Sequence, residues 1–381
     1  MSKVKLKDVV MRVKDKVDKD TTELEYYVGG EHFDNGEVVV SKRGVIKEST
    51  IGPAFHMRFE PGDVLLMSRN PHLRKAGVVD FEGICSDVSY VCRTKDAGIL
   101  SQRYLPFIFQ SEHFWNFAEE NKKGSTNFFL NWSDFEKYEF DLPDIEKQNE
   151  LAELLWSAVN TKMAYQKLLY QTDELIKSQF IEMFEDDRYE VKKVKTIMRD
   201  MRNGVSPSKK GTCVEKVLTL SAITQGSFDP GSWKDGTFDE CPSTDKRIRT
   251  GEFYICRGNG NRSLVGTAVY SPEVRLDLVF PDTVIAAHVD EDVILLPYLD
   301  IAWKMPSVRA QIEDNARTTN GTYKINQNII SNIELTIPPI EKQREFVSLV
   351  EQSDKSKFEL KKSIEKLEGV IRTIQQQDLS N

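Results

Sequence analysis

Two segments of the chain, LPDIEKQNELAELL from Leu142 to Leu155 and IPPIEKQREFVSLV from Ile337 to Val350, write one pattern twice, 195 residues apart. A chain of 381 residues is long for a single core and suits two domains of roughly 150 residues with connecting elements. A duplicated domain, each copy followed by the same helix start, satisfies both observations.

Pro143 and Pro339 stand where a helix can begin, because proline fixes φ and its missing N–H is not needed in the first turn. Asp144 and Glu146 in one copy, and Glu341 in the other, suit the positive end of the helix dipole. Beyond the first start, Leu151, Ala158, Tyr165 and Thr172 recur every seven residues, with Leu154, Leu168 and Leu175 three positions after members of that series. Beyond the second, Phe346, Ser353, Leu360, Leu367 and Ile374 do the same, with Val350, Ile364 and Ile371 four positions after. These coiled-coil-like stripes predict two helices of about 40 residues, on the order of 60 Å long. The expected helix-pair packing residues are Leu151, Leu154, Leu168, Leu175, Phe346, Val350, Leu360, Ile364, Leu367 and Ile371.

Upstream of each helix, short β-rich runs dominate: GEVVVS, DVLLMS, DVSYVCR and FIFQ in the first half, EFYICR, LVGTAVY, DTVIAA and DVILLPYL in the second. Turn signals at Asp34-Asn35-Gly36, Pro61-Gly62-Asp63, Gly258-Asn259-Gly260 and Asn320-Gly321 punctuate them. The expected fold is α+β (mixed α/β), with strand-rich domains over 1–142 and 187–337, long helices over 143–186 and 338–381, and an internal pseudo-two-fold repeat. The halves also correspond in order. FEPGDVLLMSRN resembles RTGEFYICRGNG, and KKGSTNFFLNWSDFEKYEFDLPDIEKQ resembles TTNGTYKINQNIISNIELTIPPIEKQ, aligning Gly124 with Gly321.

The formal net charge of −8 argues against a nucleic-acid partner until its distribution is read. Asp141 to Glu190 holds twelve acids against five bases, a balance of −7, so the rest of the chain is nearly neutral. Ser41 to Lys75 carries seven bases against three acids, and Asp245 to Arg262 five against two. Basic patches exist in both halves.

No apolar run approaches the ~18 residues that span a bilayer, and the opening MSKVKLKDVVMRVKDK lacks an export signal's apolar core. The cytoplasm is the expected compartment. Cys85, Cys92, Cys213, Cys241 and Cys256 form no CxxC pair, so reduced, partly buried thiols are expected, with neither a disulfide frame nor a metal site.

A strand-rich region ending in a Gly-Ser/Thr segment, a Pro-x-x-Glu-Lys-Gln helix start and a long helix, all present twice, resemble the specificity (S) subunit of type I restriction-modification enzymes. The stretch MRNGVSPSKKGTCVEKVLTLSAITQGSFD, from Met201 to Asp229, is similar to the start of that family's target-recognition domains. The resemblance covers essentially the whole chain. It implies two target-recognition domains held apart by two antiparallel helices, each domain reading one half of a bipartite double-stranded DNA site. It further implies that the helices set the gap and dock two methyltransferase (M) subunits, which restriction/translocase (R) subunits join. S-adenosylmethionine, ATP and Mg²⁺ are then expected on partner subunits, with none in this chain. An S-like subunit of a type II system shares this layout. A coiled-coil protein-interaction adaptor and an autonomous methyltransferase are the competing classes.

The residues argue against catalysis in this chain. Asn70-Pro71-His72-Leu73 lacks the second proline and the aromatic of an adenine-methyltransferase tetrapeptide. Arg257-Gly258-Asn259-Gly260, with Gly266 beyond, is not followed by the Gly-Lys-Ser/Thr of a phosphate loop. Pro281-Asp282 has no nearby Glu-x-Lys to complete a nuclease site, and the five histidines show no paired spacing.

Base edges are read by Arg, Lys, Asn or Gln on loops or strand ends, and phosphates by positive charge or hydroxyls. The candidate DNA-binding residues of the first domain are Lys42, Arg43, Arg69, Asn70, Arg74 and Lys75, with Ser125 and Thr126 as phosphate ligands. Those of the second are Arg202, Asn203, Ser206, Ser208, Lys209, Lys210, Arg257, Asn259, Asn261, Arg262, Thr319, Asn320 and Thr322.

Overall fold

The computed structural model describes residues 2–185, 189–319 and 321–379. The chain forms two compact units: one comprises residues up to Lys167 and those from Leu360 onward, the other Leu168–Glu359. A central helix, Ile145–Phe184, and a C-terminal helix, Ile340–Leu379, each 40 residues long, contribute a portion to both units. No helix among the described residues is long and apolar enough to cross a membrane.

Both units have one sheet topology. In the first, Ser2–Lys5 pairs antiparallel with Glu139–Leu142, the strand that leads into the central helix. One four-stranded sheet runs in the order Val10–Val13, Ser89–Thr94, Val64–Met67, Ala76–Val78. A second runs Gly44–Val45, Tyr26–Val28, Gly83–Ser86, Phe55–Phe59, with its two middle strands parallel.

In the second unit Glu190–Lys193 pairs antiparallel with Glu334–Ile337, the strand that leads into the C-terminal helix. Its sheets run Met198–Asn203, Val284–Val289, Glu252–Cys256, Ala268–Tyr270, and Trp233–Phe238, Cys213–Leu218, Arg275–Val279, Arg247–Ile248, again with the middle strands of the latter parallel. The turn glycines Gly62 and Gly251, before the strands Val64–Met67 and Glu252–Cys256, both take positive φ (89° and 75°), a conformation that glycine adopts without strain.

Two of the expected strands are helices. FIFQ lies largely in Leu105–Phe109, and DVILLPYL runs into Leu296–Lys304. Both helices have proline in the first turn, at Pro106 and Pro297. Every residue of Leu105–Phe109 is buried, so this short helix shows no amphipathic period to distinguish it from a buried strand. GEVVVS forms only a single bridge, Val39 to Val78.

The prolines of the helix starts lie just outside the helices rather than in their first turns. Asp144 caps the central helix, its carboxylate accepting from the Lys147 amide at 2.9 Å. The bonds common to both copies of the motif are made by its glutamine. Gln148 is fully buried; its side-chain oxygen accepts from the Ser101 amide (2.9 Å), and its Nε2 donates to the carbonyls of Ile99 (2.9 Å) and Pro143 (2.8 Å). Gln343, 195 residues on and equally buried, accepts from the Leu295 amide (2.8 Å) and donates to the carbonyls of Val293 (2.9 Å) and Pro338 (2.9 Å). In each unit the glutamine ties the helix start to the loop just before a buried helix.

The helix seam corrects the expected packing set. Leu154, Leu168 and Leu175 are 53%, 45% and 58% exposed, whereas Leu155 and Ile176 are buried. The inward positions of the central helix lie four residues after the heptad series, the spacing written openly in the second copy by Val350, Ile364 and Ile371. A four-residue step turns about 400° and stays on one face, whereas a three-residue step turns about 300° and leaves Leu154, Leu168 and Leu175 one position off the seam. Leu151, Phe346 and Val350 are buried as expected, and Leu360, Ile364, Leu367 and Ile371 are half-buried.

Within the first unit Leu151, Ala152, Leu155 and Val159 share a core against which Ile371 and Ile374 pack. Within the second, Ile176, Phe180 and Phe184 share one with Phe346 and Val350. The helices therefore run antiparallel in each unit.

The cysteine expectation is also corrected. Cys213 and Cys241 form a disulfide across the hairpin of Cys213–Leu218 and Trp233–Phe238, a contact that a separation of 28 residues does not reveal. Cys85, Cys92 and Cys256 are buried free thiols.

Candidate nucleic-acid interface

In each unit the central strand of the first sheet runs into a loop that a second segment flanks. In the first unit that loop follows Val64–Met67 and contains Arg69, Asn70, Arg74 and Lys75 around a short 3₁₀ turn, Pro71–Leu73. Asn70 and Arg74 both take left-handed backbone conformations (φ 51° and 50°), uncommon for residues with a Cβ and frequent where a loop is shaped for contact. The Asn70 amide donates to the Phe128 carbonyl at 2.9 Å, which brings the Ser125 and Thr126 loop alongside.

Several of these cations are spent internally. Arg74 makes a bidentate pair with Glu112, its Nη2 at 2.7 Å, and that hydrogen bond holds the Glu112 carboxyl below the usual carboxylate range. Lys75 donates to the Gly30 carbonyl at 2.6 Å. Lys42 pairs with Asp34 at 2.5 Å, and Arg43 stacks on Tyr26 and Phe81, 4.2 and 4.7 Å from the ring centroids. Arg69 is exposed, with its guanidinium 5.6 Å from the Phe129 centroid. Ser125 and Thr126 are exposed as well.

In the second unit the equivalent loop follows Glu252–Cys256. It joins a three-stranded sheet of Gly258–Asn259, Thr322–Lys324 and Arg317–Thr319. Arg257, Asn259, Asn261, Arg262, Thr319 and Thr322 are thereby gathered on or beside one small sheet. Asn261 caps the 3₁₀ turn Arg262–Leu264, accepting from the Ser263 amide at 3.0 Å. Arg262, though half-exposed, donates to the Glu313 carbonyl at 2.8 Å, and Arg257 donates to that of Asp282 at 3.1 Å. Asn320 lies outside the described residues.

The remaining candidates occupy a different place. Arg202 is largely buried in an ion pair with Glu252 at 2.5 Å, and the Asn203 side chain meets Gln327 at 3.5 Å. Ser208 donates to Asp239 at 2.9 Å, which holds its loop to the second sheet. Ser206, Lys209 and Lys210 are exposed, and the two lysines form no ion pair among the described residues. Nearby, Arg247 pairs with Glu215 at 2.6 Å and depresses that carboxyl.

Arg317 and Lys324 were not among the sequence candidates. They sit opposite each other in the hairpin that Asn320-Gly321 announces, where a turn between basic residues was the available signal.

No protein-family model matches the chain. The specificity subunit of the type I restriction enzyme EcoKI from Escherichia coli (strain K12) is 28% identical over 163 residues, 41% of this chain and 34% of that protein. The chain's match thus spans about a third of the length of that curated relative. The type I restriction-modification S subunit of M. genitalium superposes over 99% of this chain and 96% of its own, with a TM-score of 0.58 and 12% identity. The fold is that of a type I restriction-modification S subunit. A second structure, from work on complex assembly and conformational transition of the type I system, covers 99% of this chain and 97% of its own at a TM-score of 0.55 and 15% identity. The S-subunit fold thus accounts for the duplicated topology and for both long helices.

Proposed function

We propose that this chain is the non-catalytic DNA-recognition subunit of a type I restriction-modification complex. The observation that carries the reading is a sheet topology written twice while the loops leaving the central strands differ in every charged residue, as two readers of different half-sites require. Under this reading each unit reads one half of a bipartite duplex site, and the two 40-residue helices fix the unread gap. S-adenosylmethionine, ATP and Mg²⁺ then belong to partner methyltransferase and restriction subunits.

Exposed apolar residues on the helices support the docking of two copies of one partner. Leu154, Met163 and Leu175 are exposed on the central helix, and Leu349, Phe358 and Val370, each 195 residues further on, are exposed on the C-terminal helix. A repeated surface fits a repeated partner.

Coexpression with a candidate adenine methyltransferase of a type I system, followed by sequencing of methylated adenines, tests the reading. A bipartite motif with a fixed gap is expected. Removing one heptad around Lys162 and around Lys357 should change the gap while both half-sites persist. Methylation that is unchanged when this chain is omitted would refute the proposal.

A further inference from the structure

Both units place a small hairpin beside the loop that leaves the central strand, and its charges are balanced differently in each. In the first unit Lys123 faces Phe129 across the hairpin. The Lys123 ammonium lies 2.7 Å from the carboxylate of Asp134, which Lys137 also approaches at 3.3 Å. Arg69, bridged to Phe129 from the other side, lays its guanidinium over that ring. Each of these cations has a partner within the unit.

The second unit aligns with it residue by residue. The Ile325 amide donates to the Arg257 carbonyl at 2.9 Å, as the Leu130 amide does to that of Ser68 at 2.9 Å. Gly258 pairs with Lys324 as Arg69 does with Phe129. Lys324 thus takes the place of Phe129, and its register partner Arg317 that of Lys123. The residue 195 positions after Asp134 is Ile329, so the neutralising acid is gone.

Arg317 and Lys324 are exposed, and neither side chain has an ion-pair or hydrogen-bond partner among the described residues. Like charges directly opposite on an antiparallel ladder repel. The neighbouring strand adds no side chain to the row, because Gly258 stands there; a Cβ at that position would lie 3.3 Å from Cγ of Lys324. Two opposed cations without a counter-charge form a site that a bound anion completes.

We propose that Arg317 and Lys324 clamp a backbone phosphate of duplex DNA held by the second unit, a contact that rests on the DNA-recognition reading above. The guanidinium fork and the ammonium donate to the phosphodiester oxygens, which positions the duplex and carries no sequence information. The first unit, having spent its equivalent charge on Asp134, lacks this contact.

The test is the salt dependence of binding by the full-length chain to a mixed-sequence DNA duplex. The double variant Arg317→Ala/Lys324→Ala should reduce the slope of log K against log salt by about 0.9, the value for one phosphate, and each single variant should lose part of that. Arg317→Glu should reduce it similarly while keeping or raising the melting temperature, because it restores an opposite-charge pair with Lys324; this separates lost contact from lost folding. An unchanged slope in the double variant, with wild-type binding salt-dependent, would overturn the clamp and leave the recognition reading standing. Absence of salt-dependent binding by the wild type would overturn both. Equal weakening toward polyglutamate and toward DNA would overturn DNA phosphate as the occupant.

Discussion

Lys162 and Lys357 are one residue of the repeat in two settings, and each reaches across the helix pair to the repeat-related acid. Lys162 lies 3.8 Å from Glu368 and Lys357 lies 3.0 Å from Asp173, with 195 residues separating both the lysines and the acids. The settings differ in burial: Lys162 is 7% exposed and held by both oxygens of Glu37 at 2.7 Å, whereas Lys357 is 23% exposed and pairs with Asp354 on its own helix.

Removing Lys162 therefore costs more than removing Lys357. Lys162→Met strands the Glu37 carboxylate and is expected to destabilise by about 1–3 kcal/mol, short of the full penalty for a buried pair because Glu37 keeps some exposure. Lys357→Met should cost less than about 1 kcal/mol. Urea unfolding midpoints give the comparison, and equal losses would contradict the assignment.

Gln343→Leu removes the shared partner of the Leu295 amide and the Val293 and Pro338 carbonyls. Each group left unsatisfied costs about 1–3 kcal/mol, so this variant and Gln148→Leu should unfold well below the wild type. An unchanged midpoint in thermal or urea unfolding would show that the glutamines do not hold the helix starts.

Acid should weaken the first unit through Asp134. The hydrogen bond from Lys123, followed by that from Lys137, holds its carboxyl below the usual range. A depressed folded pKa means that the stabilisation is complete above the unfolded value and disappears as pH falls through the folded one. Stability measured at a series of pH values below about 4 should fall more steeply for the wild type than for Asp134→Asn. Parallel curves would show that Asp134 contributes nothing.

Reduction should loosen the second unit. Closing a loop across a separation of 28 residues corresponds to about 3–4 kcal/mol by chain entropy. Wild-type protein should unfold earlier in dithiothreitol, and Cys241→Ser should ignore the reductant. If the reductant leaves the wild type untouched, the two cysteines are not bonded in solution.

The duplication, both helix starts and the strands Val64–Met67, Ser89–Thr94, Glu252–Cys256 and Val284–Val289 were legible in the sequence, because local periodicity and turn residues encode them. The seam was legible in the second copy, where four-residue steps place Val350, Ile364 and Ile371. In the first copy three exposed leucines obscured it.

The sequence by itself determined that this chain would be a domain and a helix written twice, since helix starts and heptads are short-range signals carried by neighbouring residues. Tertiary structure alone decided which cations are spent and which stay free. Arg74 is neutralised by Glu112 and Lys123 by Asp134, while Arg317 and Lys324 stand opposite each other in the ladder with no ion-pair partner among the described residues, and each outcome depends on partners brought together by the sheet rather than by the chain. The same holds for Cys213 and Cys241, and for Leu105–Phe109, whose complete burial erases the period by which a helix is read.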